Sequence, residues 1–110
     1  MFSPFDTRTR SGLRTIVVLR AGPWGEDPTF EWDEDNIQKF WFHQIRDFEV
    51  EECFENEHAI RPHVKARSQP DKFGDRYLVH GRTDGGRRLQ IIVQHKGGGL
   101  VRPVTGWLDN

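Results

Sequence analysis

Apolar and polar positions change period several times along this chain, and each change predicts an element. Phe30-Glu31-Trp32 alternates apolar, polar, apolar, as a short half-buried strand does, and Asp33 follows as a helix N-cap. From Glu34 onward, Ile37, Phe40, Trp41 and Ile45 fall along one stripe of an amphipathic helix, with Phe42 off that stripe. Glu34 and Asp35 near its start and Lys39 and His43 further along suit the helix dipole. A second short helix follows, with Asp47 as its expected cap and Val50, Cys53 and Phe54 as its apolar face.

Residues 63–74 are polar and read as a loop. Three β-rich runs come next, Arg76 to Thr83, Arg88 to His95 and Leu100 to Thr105, separated by Asp84-Gly85-Gly86-Arg87 and Lys96-Gly97-Gly98-Gly99. Glycine pairs between strands are hairpin signals. With two-residue loops at Gly85-Gly86 and Gly97-Gly98, His80 lies opposite Ile91, Arg82 opposite Leu89, and Val93 opposite Arg102. That register gathers Leu78, Leu89, Ile91, Val93, Leu100 and Val104 on the core face together with His80, Arg82, His95 and Arg102. Tyr77, Val79, Ile92 and Val101 then occupy the other face, and a one-residue slip reverses the assignment. Pro103 has no backbone donor, so the last strand is expected to be an edge or to bulge there. The pattern therefore predicts an α+β fold, with two short N-terminal helices packed on a mainly antiparallel sheet that ends in a three-stranded meander.

Residues 1–28 read as an N-terminal extension, rich in Ser, Thr, Arg, Pro and Gly, with Ile16-Val17-Val18-Leu19 as one possible short strand. Residues 29–110 form the single domain that a length of 110 residues accommodates. No apolar run approaches a membrane span, and Met1 to Arg10 lacks the apolar centre of a secretory signal, so the expected location is cytoplasmic. A lone Cys53 excludes an intramolecular disulfide and a thiolate zinc cluster, and it reads as a small buried hydrophobe.

The formal net charge of −1 conceals a division along the chain. Residues 1–25 hold four Arg against Asp6, residues 26–57 hold twelve acids against Lys39 and Arg46, and residues 58–110 hold ten bases against four acids. Such asymmetry fits a polyanion-binding face beside an acidic surface that either meets a basic partner or serves solubility alone. The five His do not have the short-range spacing of common zinc motifs. Neither glycine cluster leads into a helix that could hold a phosphate, and nucleophile schemes are disfavoured because Cys53 reads as buried and Ser68 lies in a loop without a recognisable base partner. DNA recognition by a basic helix is disfavoured, because the basic residues fall on strands and loops.

In this order, the motifs resemble the BrnT-type toxins, compact members of the RelE-like ribonuclease superfamily found in type II toxin–antitoxin pairs. The resemblance rests on Phe30-Glu31-Trp32-Asp33, on Asp35-Asn36 followed by His43-Gln44-Ile45, and on Phe48 to Phe54. It continues through Arg76-Tyr77-Leu78-Val79-His80-Gly81-Arg82-Thr83, the Asp-Gly-Gly-Arg turn, Leu89 to Val93, and Val101-Arg102-Pro103-Val104-Thr105. It covers roughly residues 30–107, and Gln44 stands where that family usually carries Gly.

The resemblance implies a RelE-like fold and metal-independent endoribonuclease activity with no cofactor. In that chemistry the ribose 2′-hydroxyl attacks the adjacent phosphorus and leaves a 2′,3′-cyclic phosphate. It also implies RNA and a ribbon-helix-helix antitoxin as partners. Imidazole exchanges protons near neutrality and guanidinium matches phosphate, so His80 is the expected acid or base, with Arg82 and Arg102 on the phosphate and Arg76 and Tyr77 on the RNA. Strand alternation sets His80 and Tyr77 on opposite faces unless a bulge intervenes near Gly81. The competing roles are a half-buried histidine bonded to backbone for His80 and rim cations for Arg82 and Arg102. The alternative function is a noncatalytic module that keeps the fold and binds a partner or RNA.

Overall fold

In the computed structural model, which describes residues 22–109, the expected first helix begins where its cap predicts. Asp33 Oδ1 accepts from the Asn36 amide at 3.1 Å and Asn36 Oδ1 accepts from the Asp33 amide at 2.8 Å, a reciprocal cap that starts α1 (Glu34–Phe42). At the other end Ile45 N–H bonds the Phe40 carbonyl and Gln44 N–H bonds the Trp41 carbonyl, the six-to-one and five-to-two pair of a Schellman turn. Gln44 supplies the left-handed residue that this turn requires, with φ of 59°. The second helix, α2 (Asp47–Glu55), is capped one residue earlier than expected. Arg46 is its N-cap, and Glu49 Oε1 accepts from the Arg46 amide at 3.0 Å.

The architecture is α+β, and the described residues form four helices and one mixed five-stranded sheet. Its strands are β1 (Thr29–Phe30), β2 (Ala59–Pro62), β3 (Arg76–Arg82), β4 (Arg88–Gly97) and β5 (Leu100–Leu108), in spatial order β1-β5-β4-β3-β2. The short β1 runs parallel to β5, and the other three ladders are antiparallel. β2 was not anticipated. The expected loop at 63–74 contains two short helices, α3 (Val64–Ser68) and α4 (Pro70–Phe73). No helix among the described residues is long and apolar enough to cross a membrane.

The meander forms in the expected places but one residue out of the expected register. Arg82 pairs with Arg88, so the β3–β4 connection is five residues long rather than two. Thr83 organises it: its amide bonds the Arg87 carbonyl, its carbonyl accepts from Gly86, and its Oγ1 accepts from the Arg87 amide at 3.0 Å. The β4–β5 turn uses Gly98-Gly99, with the left-handed Gly98 at φ 53°. Two bulges, at Lys96 on β4 and at Val104 on β5, shift and then restore that ladder. Pro103 stands beside the second bulge, past the point where β1 ends, as its missing donor demands.

The faces therefore exchange for two strands, β3 and β5. Tyr77, Val79 and Gly81 join Leu89, Ile91, Val93, Val101 and Pro103 on the face covered by α1 and α2. Leu78, His80, Arg82, Gln90, Ile92, Arg102 and Trp107 lie on the other, uncovered face. Two glycines let the helices come this close. A Cβ on Gly81 would meet the Cys53 Cβ at 2.6 Å, and one on Gly106 would meet Phe40 at 2.7 Å.

Trp24 is buried in the core, edge-on to Tyr77 at 5.5 Å and against Phe54 at 5.8 Å, so the packed unit reaches back before residue 29. The suggested strand at Ile16 to Leu19 lies outside the described residues. Asn36 is fully enclosed and its amide donates to the carbonyls of Glu31 at 2.9 Å and Pro103 at 2.8 Å, tying α1 to β5 and to the chain leaving β1. Only half of the α1 stripe packs: Phe40 and Ile45 are buried, whereas Ile37, Trp41 and, off the stripe, Phe42 remain exposed.

Replacing Gly81 or Gly106 with Ala forces a helix off the sheet and is expected to cost about 1–3 kcal/mol in denaturant unfolding, the range for overpacked sites. Gln44→Gly removes the left-handed strain and is expected to stabilise the protein by about 1 kcal/mol, read as a raised unfolding midpoint.

Candidate functional site

The uncovered face offers rows of side chains across three strands. His80, Gln90 and Trp107 form one row, Leu78, Ile92 and Thr105 the next, and Arg76, Gln94 and Arg102 the third. At the end nearest the β3–β4 turn, Asn56, Glu57, His80, Gly81, Arg82, Arg88 and Asp109 enclose a cleft of about 460 Å³. Strand pairing sets Arg82 directly across from Arg88, and His80 follows two residues before Arg82 on the same face.

Local bonds hold these groups in place. Asn56, just past the end of α2, donates its amide to the Arg82 carbonyl at 2.8 Å and to Asp84 Oδ1 at 3.0 Å. Arg87 anchors the turn to α2, with its Nη1 2.8 Å from Glu49 Oε2 and 3.1 Å from the Gln44 carbonyl. Asp109 reaches the cleft because its amide bonds the Arg88 carbonyl and so extends the β5 ladder. One of its oxygens accepts from Gln90 Nε2 at 3.1 Å and the other lies 3.6 Å from His80 Nδ1. Arg82 and Arg88 make no ion pair with any described carboxylate.

Of the five residues singled out from the sequence, two meet here, His80 and Arg82. Arg76 shares their face but lies two rows away, about 14 Å along β3 at strand spacing. Tyr77 points into the core against Trp24, because no bulge interrupts β3 near Gly81. Arg102 is on the open face yet engaged elsewhere. It clamps Asp33 with Nη1 2.8 Å from Oδ2 and Nη2 3.2 Å from Oδ1, and Glu31 lies at 3.5 Å.

Arg88, Asn56, Glu57 and Asp109 were missed. Arg88 was legible only through Thr83, whose hydroxyl marks a five-residue turn rather than a two-residue one. Cys53 is wholly enclosed, and burial, with Glu49, Glu52 and Asp84 adding negative charge, pushes its thiol up to about 12. Among the described residues, no three His, Cys, Asp or Glu side chains gather as a ligand set for a metal ion.

No protein-family model, curated protein or solved structure matches this chain.

The Arg102 clamp holds the Asp33 carboxyl below its ordinary value of 3.8, first through the hydrogen bond from Arg102 and then through the Asn36 amide. A depressed carboxyl contributes its stabilisation above the unfolded value and loses it as pH falls through the folded one. Carboxyl-detected NMR titration is therefore expected to find Asp33 below 3.8, and Arg102→Gln is expected to raise it. An unchanged Asp33 titration in that variant would refute the clamp.

Proposed function

We propose that this protein is a metal-independent endoribonuclease, a RelE-like toxin of the BrnT type whose chemistry takes place in the His80 cleft. The observation that supports the reading is one imidazole beside two facing guanidinium groups, neither of which forms an ion pair with a described carboxylate, in an open cleft of about 460 Å³. Arg82 and Arg88 receive the two non-bridging oxygens of the scissile phosphate and stabilise charge that grows as the 2′-hydroxyl attacks. His80 and a cleft carboxylate, Glu57 or Asp109, divide the two proton transfers: one takes the 2′-hydroxyl proton and the other protonates the departing 5′-oxygen. Bond formation from O2′ to phosphorus and loss of O5′ leave a 2′,3′-cyclic phosphate and a free 5′-hydroxyl.

The expected partner is a ribbon-helix-helix antitoxin. Its docking surface on this reading is the acidic pair α1 and α2, where Ile37, Trp41, Phe42 and Phe48 are exposed between Glu34, Asp35 and Asp47. A basic amphipathic segment satisfies both the charge and the apolar area.

The position of Arg102 favours a second reading, capture of RNA without cleavage. A cation expected on the phosphate is committed to Asp33 and Glu31 instead.

Incubating purified protein with end-labelled RNA in the presence of a chelator separates the two readings. The nuclease leaves new 2′,3′-cyclic phosphate ends, and His80→Ala and Arg88→Ala each lower the cleavage rate by about 10²–10³-fold in a folded protein. Binding with no new ends supports capture, and undiminished cleavage in the His80→Ala, Arg82→Ala double variant removes both residues from the mechanism.

A further inference from the structure

At the far end of the uncovered face, the segment between β2 and β3 gathers positive charge around one aromatic ring. Lys65 Nζ of α3 and Lys72 Nζ of α4 each stand 5.3 Å from the centre of the Phe73 ring, and the Arg76 guanidinium lies 5.5 Å from it. Arg61 on β2 is paired with Leu78, the residue between Arg76 and His80 on this face, so it adds a further exposed cation to the same side. His63 hydrogen-bonds the Arg76 carbonyl through its backbone and caps α3 with its ring.

The nearby carboxylates do not neutralise this group. Asp75 is held by Gln94 Nε2 at 2.8 Å and Asp71 is exposed on the first turn of α4, and neither forms an ion pair with a described residue. Arg76 Nε is enclosed and has no hydrogen-bond partner. Burial lowers the His63 titration first, and the neighbouring charges of Lys65 and Arg76 lower it further. Like charges held together around one ring repel one another, and a polyanion relieves that repulsion.

We propose that this α3–α4 shelf binds the phosphate backbone of single-stranded RNA whose reacting nucleotides occupy the His80 cleft. The inference rests on the nuclease reading for the identity of the polymer, and it adds a second, noncatalytic binding site. The shelf and the cleft belong to one continuous surface. Arg76 and Arg82 share a face of β3 six residues apart, about 20 Å at strand spacing. Between them Leu78, Ile92 and Trp107 give the bases an apolar, partly aromatic floor, so an extended strand meets cations at both ends and a stacking surface in the middle. The acidic helices lie on the opposite side of the sheet, where they do not repel this path.

The test is fluorescence anisotropy with a labelled 2′-O-methyl RNA of about twelve nucleotides, which binds but cannot be cleaved, titrated at several salt concentrations. Arg61, Lys65 and Lys72 are exposed, so Arg61→Gln, Lys65→Gln, Lys72→Gln combined is expected to keep the fold, checked by circular dichroism. The triple variant is expected to bind about tenfold or more weakly at 0.1 M salt, with a salt slope shallower by about 2. Unchanged affinity and slope in the triple variant, alongside weakened binding in Arg82→Gln, Arg88→Gln, overturns the shelf and leaves the cleft standing. Absence of RNA binding by the unaltered protein overturns both.

Discussion

Two absent side chains allow the helices to seat on the sheet. Cys53 and Phe40 approach the strand backbone at Gly81 and Gly106 so closely that a single methyl group at either place would overlap them. With α1 and α2 seated there, one face of the sheet buries Val79, Leu89, Ile91, Val93 and Val101 completely. Because a strand alternates, the residues between these point the other way. Leu78, His80, Arg82, Arg88 and Trp107 are thus displayed on the uncovered face as a consequence of how the core closes.

Polar contacts then sharpen what the packing leaves open. The β3–β4 turn is fastened to α2 through Arg87, Asp84 and Asn56, so the acidic helix that covers the core also positions the cations of the cleft. At the other edge Arg102 joins β5 to Asp33 and Glu31, and Asn36 adds two buried bonds to the same junction. These contacts divide the arginines by task. Those with carboxylates, Arg87 and Arg102, fasten elements together, whereas Arg82 and Arg88 lack an ion-pair partner among the described residues and face the cleft.

Charge separation along the chain becomes separation between two sides of the molecule. The acidic residues of α1 and α2 and the basic residues of β3, β4 and the α3–α4 segment lie on opposite faces of one sheet. A polyanion approaching the sheet therefore meets cations first, and the exposed aromatic residues of α1 stay available for a different partner. The two proposed interactions do not compete for the same surface.

Elements whose cause is local were legible in the sequence. Asp33 announces α1 because the side chain that caps it lies within four residues of its partner, and the glycine pairs announce hairpins because only a few residues tolerate such turns. Burial of Cys53 followed from its place on an apolar helix face. Register and assignment of faces did not follow, since a turn lengthened by the Thr83 hydroxyl moves every pairing of β3 and sends Tyr77 inward and His80 outward. The union of Arg82 with Arg88, the capture of Arg102 by Asp33 and the arrival of Asp109 beside His80 depend on residues 6 to 69 positions apart. Only the closed sheet decides such pairings, because each one is a choice between competing long-range partners of similar local chemistry.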